Sequence, residues 1–340
     1  MPDTVVISAP VRPRAEWLRR RAATEAGPTA STVLGHYPRL GRLHGLKDPG
    51  VTIVLKALGL HGRALANARA LGVRTLELTF PTLPAAFDGY TVLHLSDPHV
   101  GTIEGLVEQA AALVAPHPVD LAILTGDIQT FGRPTASEAA RRLQPLLSAI
   151  QSRDGLVAVL GNHDSHDLAE ALERLDVRVL INQHAVITRG TDHITLAGTD
   201  DVRYFFTEDA VRLLESPPPG FVVALVHSPE LADLAARTGH ALYLTGHTHG
   251  GQIALPGGWP LLTATKRLKH LSAGFWRLGD MQGYTSSGIG TGPVTARFNC
   301  PPEITLIRLR RAITERRQTP GDGAEGSDGL TERSRRQKNG

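Results

Sequence analysis

The sequence predicts an α/β fold, in which strands and helices alternate along the chain. Short apolar runs recur from about residue 73 to residue 309, and segments with apolar residues at helical spacing separate several of them. Polar, histidine-rich motifs follow directly after many of these runs. Because open α/β sheets place functional side chains beyond the carboxyl ends of their strands, this order predicts one site at the edge of a sheet.

The first half of this region reads as a β-α-β arrangement. Strands are indicated by alternating or continuous apolar residues, and helices by apolar residues three and four apart. In chain order the predicted elements are a strand at Val73–Phe80, a turn-rich connection at Pro81–Gly89, a strand at Thr91–Leu95, a helix at Leu106–Val114, a strand at Val119–Leu124, a helix at Ser137–Ile150 and a strand at Leu156–Leu160.

The second half contains shorter strands and a single predicted helix. Its elements are strands at Arg178–Ile181, Ala185–Thr188 and Ile194–Ala197, a helix at Glu208–Leu214, and strands at Phe221–Val226, Ala241–Leu244 and Ile304–Leu309. The sequence shows no internal repeat. A chain of 340 residues, 41% of them hydrophobic, can bury one large core, so we expect one catalytic domain with appendages.

Five motifs carry the candidate site, and each follows an apolar run. They are Ser-Asp-Pro-His with Asp97 and His99, Thr-Gly-Asp with Asp127, Gly-Asn-His-Asp with Asn162, His163 and Asp164, His-Ser-Pro with His227, and Gly-His-Thr-His with His247 and His249. Asp-x-His or Gly-Asp alone is more often a turn, and His227 alone is more often a buried histidine, whereas Gly-Asn-His-Asp and Gly-His-Thr-His are more specific. Their joint order at strand ends indicates a metal-dependent hydrolytic site.

The chemistry of phosphate ester cleavage explains these residue types. It needs a nucleophile made from water and neutralised charge on the phosphoryl oxygens, and two divalent ions about 3.5 to 4 Å apart supply both. Asp97 and His99 are two residues apart, as are His247 and His249, so on an extended chain each pair points to one side. Asp127 is the natural bridge, because a carboxylate can bind two ions through its two oxygens. The mixed nitrogen and oxygen donors suit Mn, Fe, Zn or Ni better than Mg or Ca.

At these residues the chain resembles the calcineurin-like metallophosphoesterase family, over about residues 73 to 309. The resemblance implies a four-layer α/β/β/α sandwich with two divalent metal ions. It also implies that His163 does not bind metal but donates to the phosphoryl or leaving-group oxygen, with Asp164 orienting it. The implied metal ligands are Asp97, His99, Asp127 and His249 for one ion, and Asp127, Asn162, His227 and His247 for the other.

Finer similarity is to the bacterial YkuE-type branch, which includes UDP-2,3-diacylglucosamine pyrophosphatases. It rests on Leu-Pro-Ala-Ala-Phe-Asp-Gly at 83–89, His-Thr-His-Gly-Gly-Gln at 247–252 and Gly-Ile-Gly-Thr-Gly at 288–292. The branch implies hydrolysis of a phosphomonoester, phosphodiester or pyrophosphate of a small molecule or lipid precursor. Arg297 matches the branch pattern near the last strand, as either a phosphate contact or a structural contact.

Two other function classes stay open. A nuclease of the same superfamily is favoured by the basic ends of the chain, where the positive charge is concentrated, and opposed by the net negative region between them. We therefore do not expect nucleic acid as the partner. A non-catalytic metal-dependent scaffold is opposed by His163, since a scaffold needs no proton donor.

The chain divides into three predicted parts. Residues 1–72 form a helical or irregular N-terminal extension, residues 73–311 the metallophosphoesterase domain, and residues 312–340 a disordered basic tail. Between Val51 and Leu71, apolar residues at helical spacing, broken by Gly59 and Gly62, predict a helix that packs on the catalytic domain. The Lys and Arg residues beside its apolar face also allow peripheral contact with a membrane.

The sequence favours a cytoplasmic location. It has no stretch of the roughly 20 apolar residues that span a membrane, and its N-terminus lacks the apolar core of a signal peptide. Cys300 is the single cysteine, which excludes an intrachain disulfide and fits a reducing compartment. Peripheral attachment at the membrane remains the alternative.

Overall fold

Two β-sheets face each other across an apolar layer, and helices cover their outer faces. The architecture comes from a computed structural model, which describes residues 4–27, 29–32, 35–38, 50–256, 260, 265, 267–292 and 294–312. The strands are β1 Thr4–Ile7, β2 Thr29–Thr32, β3 Gly35–Pro38, β4 Gly72–Phe80, β5 Thr91–Leu95, β6 Leu121–Leu124, β7 Leu156–Ala158, β8 Val177–Val179, β9 Gln183–Arg189, β10 Asp192–Gly198, β11 Phe221–Leu225, β12 Leu242–Thr245, β13 Gly274–Leu278, β14 Met281–Thr285 and β15 Glu303–Arg311.

The helices are short and lie mostly between strands that are neighbours in a sheet. They are α1 Arg14–Ala26, α2 His61–Arg69, α3 Leu106–Val114, α4 Ala136–Ala149, α5 Leu168–Glu173, α6 Glu208–Glu215 and α7 Ala232–Arg237. Residues 50–57 are also helical. None of the helices in the described part of the chain is both long enough and apolar enough to cross a membrane.

The two main sheets are mixed, with parallel strands at their centres. The six-stranded sheet has the order β4-β15-β5-β6-β7-β8, in which β5 to β8 are parallel and the last strand, β15, lies antiparallel to β5. The seven-stranded sheet has the order β1-β9-β10-β11-β12-β14-β13, in which β10, β11, β12 and β14 are parallel. Parallel strands place their carboxyl ends at one edge, which is where the motifs begin.

Side chains on adjacent positions of a strand enter different layers of the core. In β6, Leu121 faces the layer between the sheets, whereas Ala122 packs towards α3 and α4. In β11, Phe221 enters the same central layer, whereas Val222 packs towards α6 and α7. The predicted four-layer α/β/β/α sandwich is therefore confirmed.

Most predicted strands agree with the structure, and β5 has the predicted bounds. The sequence analysis did not predict α5 and α7, which have six residues each, or the neighbouring strands β13 and β14. Strand β14 is buried on both faces yet contains Gln282 and Gly283, so it has neither the alternation nor the continuous apolar run of a strand. Because Gly283 has no side chain, the ring of Trp276 can occupy the space in which a Cβ atom would otherwise lie.

The N-terminal segment contributes to the sandwich itself. Strand β1 pairs antiparallel with β9, and Trp17 of α1 is 5% exposed within the core beneath the six-stranded sheet. The helical region between Val51 and Leu71 breaks at residues 58–60, and Gly62 lies inside α2 rather than at a second break. The domain boundary at residue 72 stays a prediction. The predicted tail falls, from residue 313 onwards, outside the described residues.

Candidate metal centre

The side chains expected to bind metal lie beyond the ends of strands from both sheets. Asp97 and Asp127 follow β5 and β6 of the six-stranded sheet, and His227 and His247 follow β11 and β12 of the seven-stranded sheet. The two sheets meet there: the backbone N–H of His247 donates to the Asp97 carboxylate at 3.0 Å. His99 and His249 come from the loops of Asp97 and His247, and Asn162 follows β7 of the six-stranded sheet. The structure thus gathers at one edge the residues that the sequence predicted to face one site.

Buried ligand atoms form two groups. Asp97, His99 and His249 make the first, and Asp127, His227 and His247 the second; within each group, one candidate ligand atom per residue lies within 4.8 Å of the others. In the first group, His99 Nε2 lies 3.2 Å from His249 Nε2. These groups correspond to the two ligand sets that the family resemblance implies.

Asp127 joins the two groups. Its Oδ2 lies 3.2 Å from His227 Nε2 of its own group and 3.8 Å from His99 Nε2 of the other. Its Oδ1 accepts the backbone N–H of His163 at 2.8 Å. On the side of the second group, Asn162 Oδ1 lies 3.2 Å from His227 Nε2. One carboxylate oxygen therefore faces both groups, as a bridging ligand would.

Hydrogen bonds fix how two of the histidines are turned. His99 Nδ1 donates to the carbonyl of Gln129 at 2.8 Å, and His227 Nδ1 donates to the carbonyl of Thr125 at 2.6 Å. Each bond places a proton on Nδ1 and leaves Nε2 facing the cluster. Burial opposes the charge of His227, but the Asp127 carboxylate raises the pKa of the His227 ring to about 10, so a metal ion at His227 Nε2 would displace a proton. Metal-binding histidines in proteins are commonly held in this way, by a backbone carbonyl behind the ring.

The polar atoms of the cluster fit divalent metal ions. Among the described residues, both ring nitrogens of His247 and the Nδ1 of His249 are buried without a hydrogen-bond partner. Buried polar groups without partners are costly, so such nitrogens need another source of stabilisation. Imidazole nitrogens beside carboxylate oxygens are the donors that Mn, Fe, Zn and Ni accept. Each of the two groups can therefore hold one metal ion.

Burial and neighbouring charges shift the pKa values of the cluster. Burial raises the pKa of Asp97 to about 6, and the nearby Asp127 carboxylate adds to the shift. Burial opposes ionisation of Asp127 as well, but His227 and His163 hold the pKa of that carboxyl well below its usual value. Burial also lowers the pKa of His247 and His249, which keeps both rings neutral and able to bind a metal.

His163 occupies the position expected of a proton donor. Its Nδ1 accepts the backbone N–H of Phe131 at 3.1 Å, so the ring proton of neutral His163 is on Nε2. That atom lies 3.9 Å from Asp127 Oδ2. The ring packs against His99 on one side and Phe131 on the other, with centroids 5.1 Å and 4.3 Å away. Nε2–H is thus beside the metal ligands.

Asp164 contacts the backbone of the loops that carry the expected ligands, and its expected role of orienting His163 stays a prediction. Its buried carboxylate accepts the backbone N–H groups of Asp127, Gln129 and Gly161, at 2.8 to 2.9 Å. It therefore ties the Gly-Asn-His-Asp loop to the Thr-Gly-Asp loop, and the contact with the His163 ring comes from the Phe131 N–H. No motif marks Phe131; the signal available in the sequence is its place four residues after Asp127.

Arg297 is a structural contact. Its side chain is fully buried, and its guanidinium donates to the carbonyls of Ser287 at 2.6 Å and Cys300 at 3.2 Å, as well as to those of Gly288 and Gly290. These bonds hold the loop that runs behind Asp97. Of the two roles that the sequence left open for Arg297, the described contacts correspond to the structural one, and a contact with a bound phosphate stays a prediction.

The backbone of the ligands differs from the extended chain that the sequence analysis assumed. Five ligand residues have left-handed φ angles of +41° to +68°, which non-glycine residues seldom adopt: Asp97, His99, Asp127, His247 and His249. The chain turns sharply at each strand end, and the side chains of each pair meet through this turn rather than through strand geometry. Backbone strain of this kind clusters at functional sites.

Glycines allow these turns to pack against one another. A Cβ atom on Gly246 would overlap Ser96 Oγ and Asp97 Oδ2, and one on Gly161 would overlap Asp127 Oδ1. The glycines of the Gly-His-Thr-His and Gly-Asn-His-Asp motifs are therefore required because a ligand carboxylate fills the space of a side chain.

The chain is similar to known proteins in the region that contains the cluster. Residues 90–251, which include all seven expected ligands, match the profile of the family described as calcineurin-like phosphoesterase. The uncharacterized metallophosphoesterase YkuE of Bacillus subtilis is 28% identical over 263 residues, 73% of this chain and 91% of that protein. YkoQ of the same organism is 29% identical, over 73% of this chain and 93% of its own. The phosphodiesterase YaeI of Escherichia coli is 29% identical, over 65% of this chain and 82% of that protein.

The close approach at Gly246 can be tested with one methyl group. We expect Gly246→Ala to displace Asp97 and to lower metal affinity and activity by at least about 10-fold, the scale on which neighbours of metal ligands act. Metal content after gel filtration and turnover of an aryl phosphate measure this. Gly62→Ala is the control, because a Cβ there meets no atom within 4 Å. Full activity of Gly246→Ala would show that the loop accommodates the methyl group without displacing Asp97, and would contradict the prediction.

Proposed function

The chain belongs to the calcineurin-like phosphoesterase family and is a metal-dependent phosphoric ester hydrolase, and from this premise we propose that it works with two divalent metal ions bridged by Asp127. The observation that carries the proposal is the pair of buried ligand groups facing one carboxylate oxygen. The substrate is a phosphomonoester, phosphodiester or pyrophosphate of a small molecule or lipid precursor. A relative named as a phosphodiesterase supports this class.

The proposed ligand sets follow the geometry of the two groups. Asp97, His99, Asp127 and His249 hold the first ion, and Asp127, Asn162, His227 and His247 hold the second. Ions held there would lower the pKa of a water nucleophile and neutralise the phosphoryl oxygens. Mn, Fe, Zn or Ni suit the donors.

The protein's own contribution to the reaction is to hold groups in place and to donate a hydrogen bond. The carbonyls of Gln129 and Thr125 orient His99 and His227, so neither ring has to reorganise. His163 Nε2–H donates to a phosphoryl oxygen or to the departing oxygen, while the Phe131 N–H keeps Nδ1 from taking the proton. A hydrogen bond of this kind stabilises the negative charge that develops on a poor leaving group.

The alternatives predict different behaviour. A nuclease would need Lys and Arg around the cleft to neutralise the phosphates of a nucleic acid, and its binding would weaken steeply with salt. A scaffold would bind metal without turnover. A panel of monoesters, diesters, cyclic nucleotides and nucleotide-diphospho-sugars under Mn, Fe, Zn, Ni and Mg tests the proposal. Turnover of small phosphoesters is the expected result, and metal binding with no turnover on any member would refute it.

The surface formed by residues 50–69, the helical hairpin, supports a peripheral membrane contact. Ile53, Val54 and Leu58 are exposed to 65%, 56% and 64%, whereas Leu55 is buried against Ala64. The segment from residue 49 to residue 76 contains no Asp or Glu, and its basic side chains include Lys56, Arg63 and Arg69. Apolar side chains beside basic ones match an anionic lipid surface. We propose that the hairpin rests on such a membrane, on its cytoplasmic side.

The first prediction concerns Asp127. We expect Asp127→Asn to abolish turnover and to reduce metal content to one ion or none, because a neutral amide cannot bridge two cations as a carboxylate does. Elemental analysis of the purified variant measures the content. Asp233→Asn is the control, because it removes a carboxylate that pairs with Arg267 on the surface. It should leave both the turnover and the metal content unchanged. If Asp127→Asn retained two ions and full activity, Asp127 would not be the bridging ligand.

The second prediction separates His163 from metal binding. We expect His163→Ala to keep the metal while kcat falls by roughly 10²- to 10⁴-fold for alkyl esters, the usual scale for a positioned acid. The loss should shrink for nitrophenyl esters, whose leaving group needs little protonation. His166→Ala is the control, since His166 lies three residues away and pairs with Glu25. An equal loss for both ester types would limit His163 to binding the phosphoryl group.

Asp164→Asn should behave differently from His163→Ala. Since the Asp164 carboxylate accepts three backbone N–H groups of the ligand loops, we expect weaker metal binding as well as lower turnover. A titration with Mn²⁺ followed by calorimetry distinguishes the two variants. Unchanged metal affinity in Asp164→Asn would argue against its role as a tie between the loops.

The membrane contact is tested with vesicles. We expect the protein to sediment with phosphatidylcholine vesicles that contain phosphatidylserine, and the variant with Ile53→Glu and Leu58→Glu to lose most of this binding. Leu255→Glu, which changes an apolar side chain that is 51% exposed outside the hairpin, is the control. Equal sedimentation of all three proteins would assign any binding to another part of the chain.

A further inference from the structure

The N-terminal helix α1 reaches the metal loops through one buried arginine. Arg21 is 2% exposed, although it lies in a segment that precedes the residues matched to the family. Its position is well defined by its surroundings: the guanidinium carbon lies 3.9 Å from the ring centroid of Phe205, and Nη1 pairs with the Asp200 carboxylate. A fully buried arginine is rare unless its charge and donors are used.

The remaining donors of Arg21 hold the Gly-Asn-His-Asp loop. Its Nη2 donates to the carbonyl of Gly161 at 2.9 Å and to the carbonyl of Asp164 at 2.8 Å. These two residues flank Asn162 and His163. One guanidinium group therefore contacts both ends of the four-residue segment that carries a metal ligand and the proton donor.

The partner of Arg21 is itself fixed. The Asp200 carboxylate accepts the indole N–H of Trp17 at 2.6 Å, and the Asp200 backbone N–H donates to Asn182 Oδ1 at 3.0 Å. Asp200 follows β10, so its position is tied to the seven-stranded sheet. Arg21 thus connects that sheet and α1 to a loop at the end of the six-stranded sheet.

We propose that Arg21 is a positioning residue for the metal centre, acting on Asn162 and His163 through the backbone of their loop. The planar fork of arginine suits this task, since it can bind a carboxylate with one nitrogen and two carbonyls with the other. Lysine has a single nitrogen and cannot reach all three acceptors. The proposal rests on the proposed function, because it assigns Asn162 to the second metal ion.

A purely structural role makes a different prediction. If the Arg21–Asp200 pair serves only to dock α1, its loss lowers stability and leaves the metal ligands alone. If Arg21 positions the loop, its loss weakens one metal site, the one that contains Asn162, and impairs proton donation by His163. The first site, with Asp97, His99 and His249, should keep its ion.

The test uses the full chain with Arg21→Lys and Arg21→Ala. In Arg21→Lys the charge beside Asp200 is kept, so the protein should fold; we expect one of two Mn²⁺ binding events in calorimetry to weaken by about 10- to 100-fold, the range seen when partners of metal ligands are changed. The fall in kcat should be larger for alkyl than for nitrophenyl esters. Arg20→Ala, on the same helix but 54% exposed in its side chain, is the control.

Chemical rescue provides a readout that stability alone does not move. We expect guanidinium chloride at low millimolar concentration to restore metal affinity and turnover to Arg21→Ala and to have no such effect on His163→Ala. Thermal denaturation of the metal-free variants records any loss of stability separately. Unchanged Mn²⁺ affinities and an unchanged ratio of alkyl to nitrophenyl turnover in Arg21→Lys would overturn the proposal. Absence of two binding events or of turnover in the unmodified protein would instead refute the proposed function.

Discussion

The Asp127 carboxylate is the contact on which the site depends. It lies between the two groups of buried ligands, and its two oxygens meet His99, His227 and the backbone N–H of His163. Its own N–H is held by Asp164. A cluster of carboxylates and imidazoles this deeply buried is unfavourable without cations, because like charges and unpartnered ring nitrogens share a space that water does not solvate. Metal ions bound at the two groups would offset this cost, and they would link the stability of the protein to its catalytic competence.

The rest of the architecture serves to bring strained loops together around this carboxylate. Ligand residues sit in left-handed backbone conformations at strand ends, and the glycines before Asn162 and His247 let two loops approach so closely that a single methyl group would collide. Strain at these positions is maintained by the packed sheets beneath and by hydrogen bonds behind the loops. Arg297 holds one loop through four carbonyls, and Arg21 reaches another from the N-terminal helix. Two buried arginines thus donate to backbone carbonyls of the loops, and Arg21 also pairs with the Asp200 carboxylate.

Sequence reasoning recovered the parts of this design that are local. Apolar runs define the central strands, and the expected ligands follow those runs, so the α/β class and the gathering of Asp97, Asp127 and His227 could be anticipated. The four-layer sandwich was implied only by the family resemblance. What it missed depends on contacts between distant residues: Phe131 against His163, and Arg21 against Gly161, are 32 and 140 positions apart. The geometry of the paired ligands was also assumed to be extended, since a spacing of two residues does not reveal a left-handed turn. The role of the N-terminal segment could not be read from its pattern, because its single decisive side chain has no motif.

The measurement that most directly tests the central claim is anomalous diffraction from crystals of the protein grown with Mn²⁺, collected near the manganese edge. The account predicts two peaks about 3.5 to 4 Å apart, with Asp127 in contact with both, His99 with the first and His227 with the second. A single peak, or two peaks of which only one touches Asp127, would contradict it.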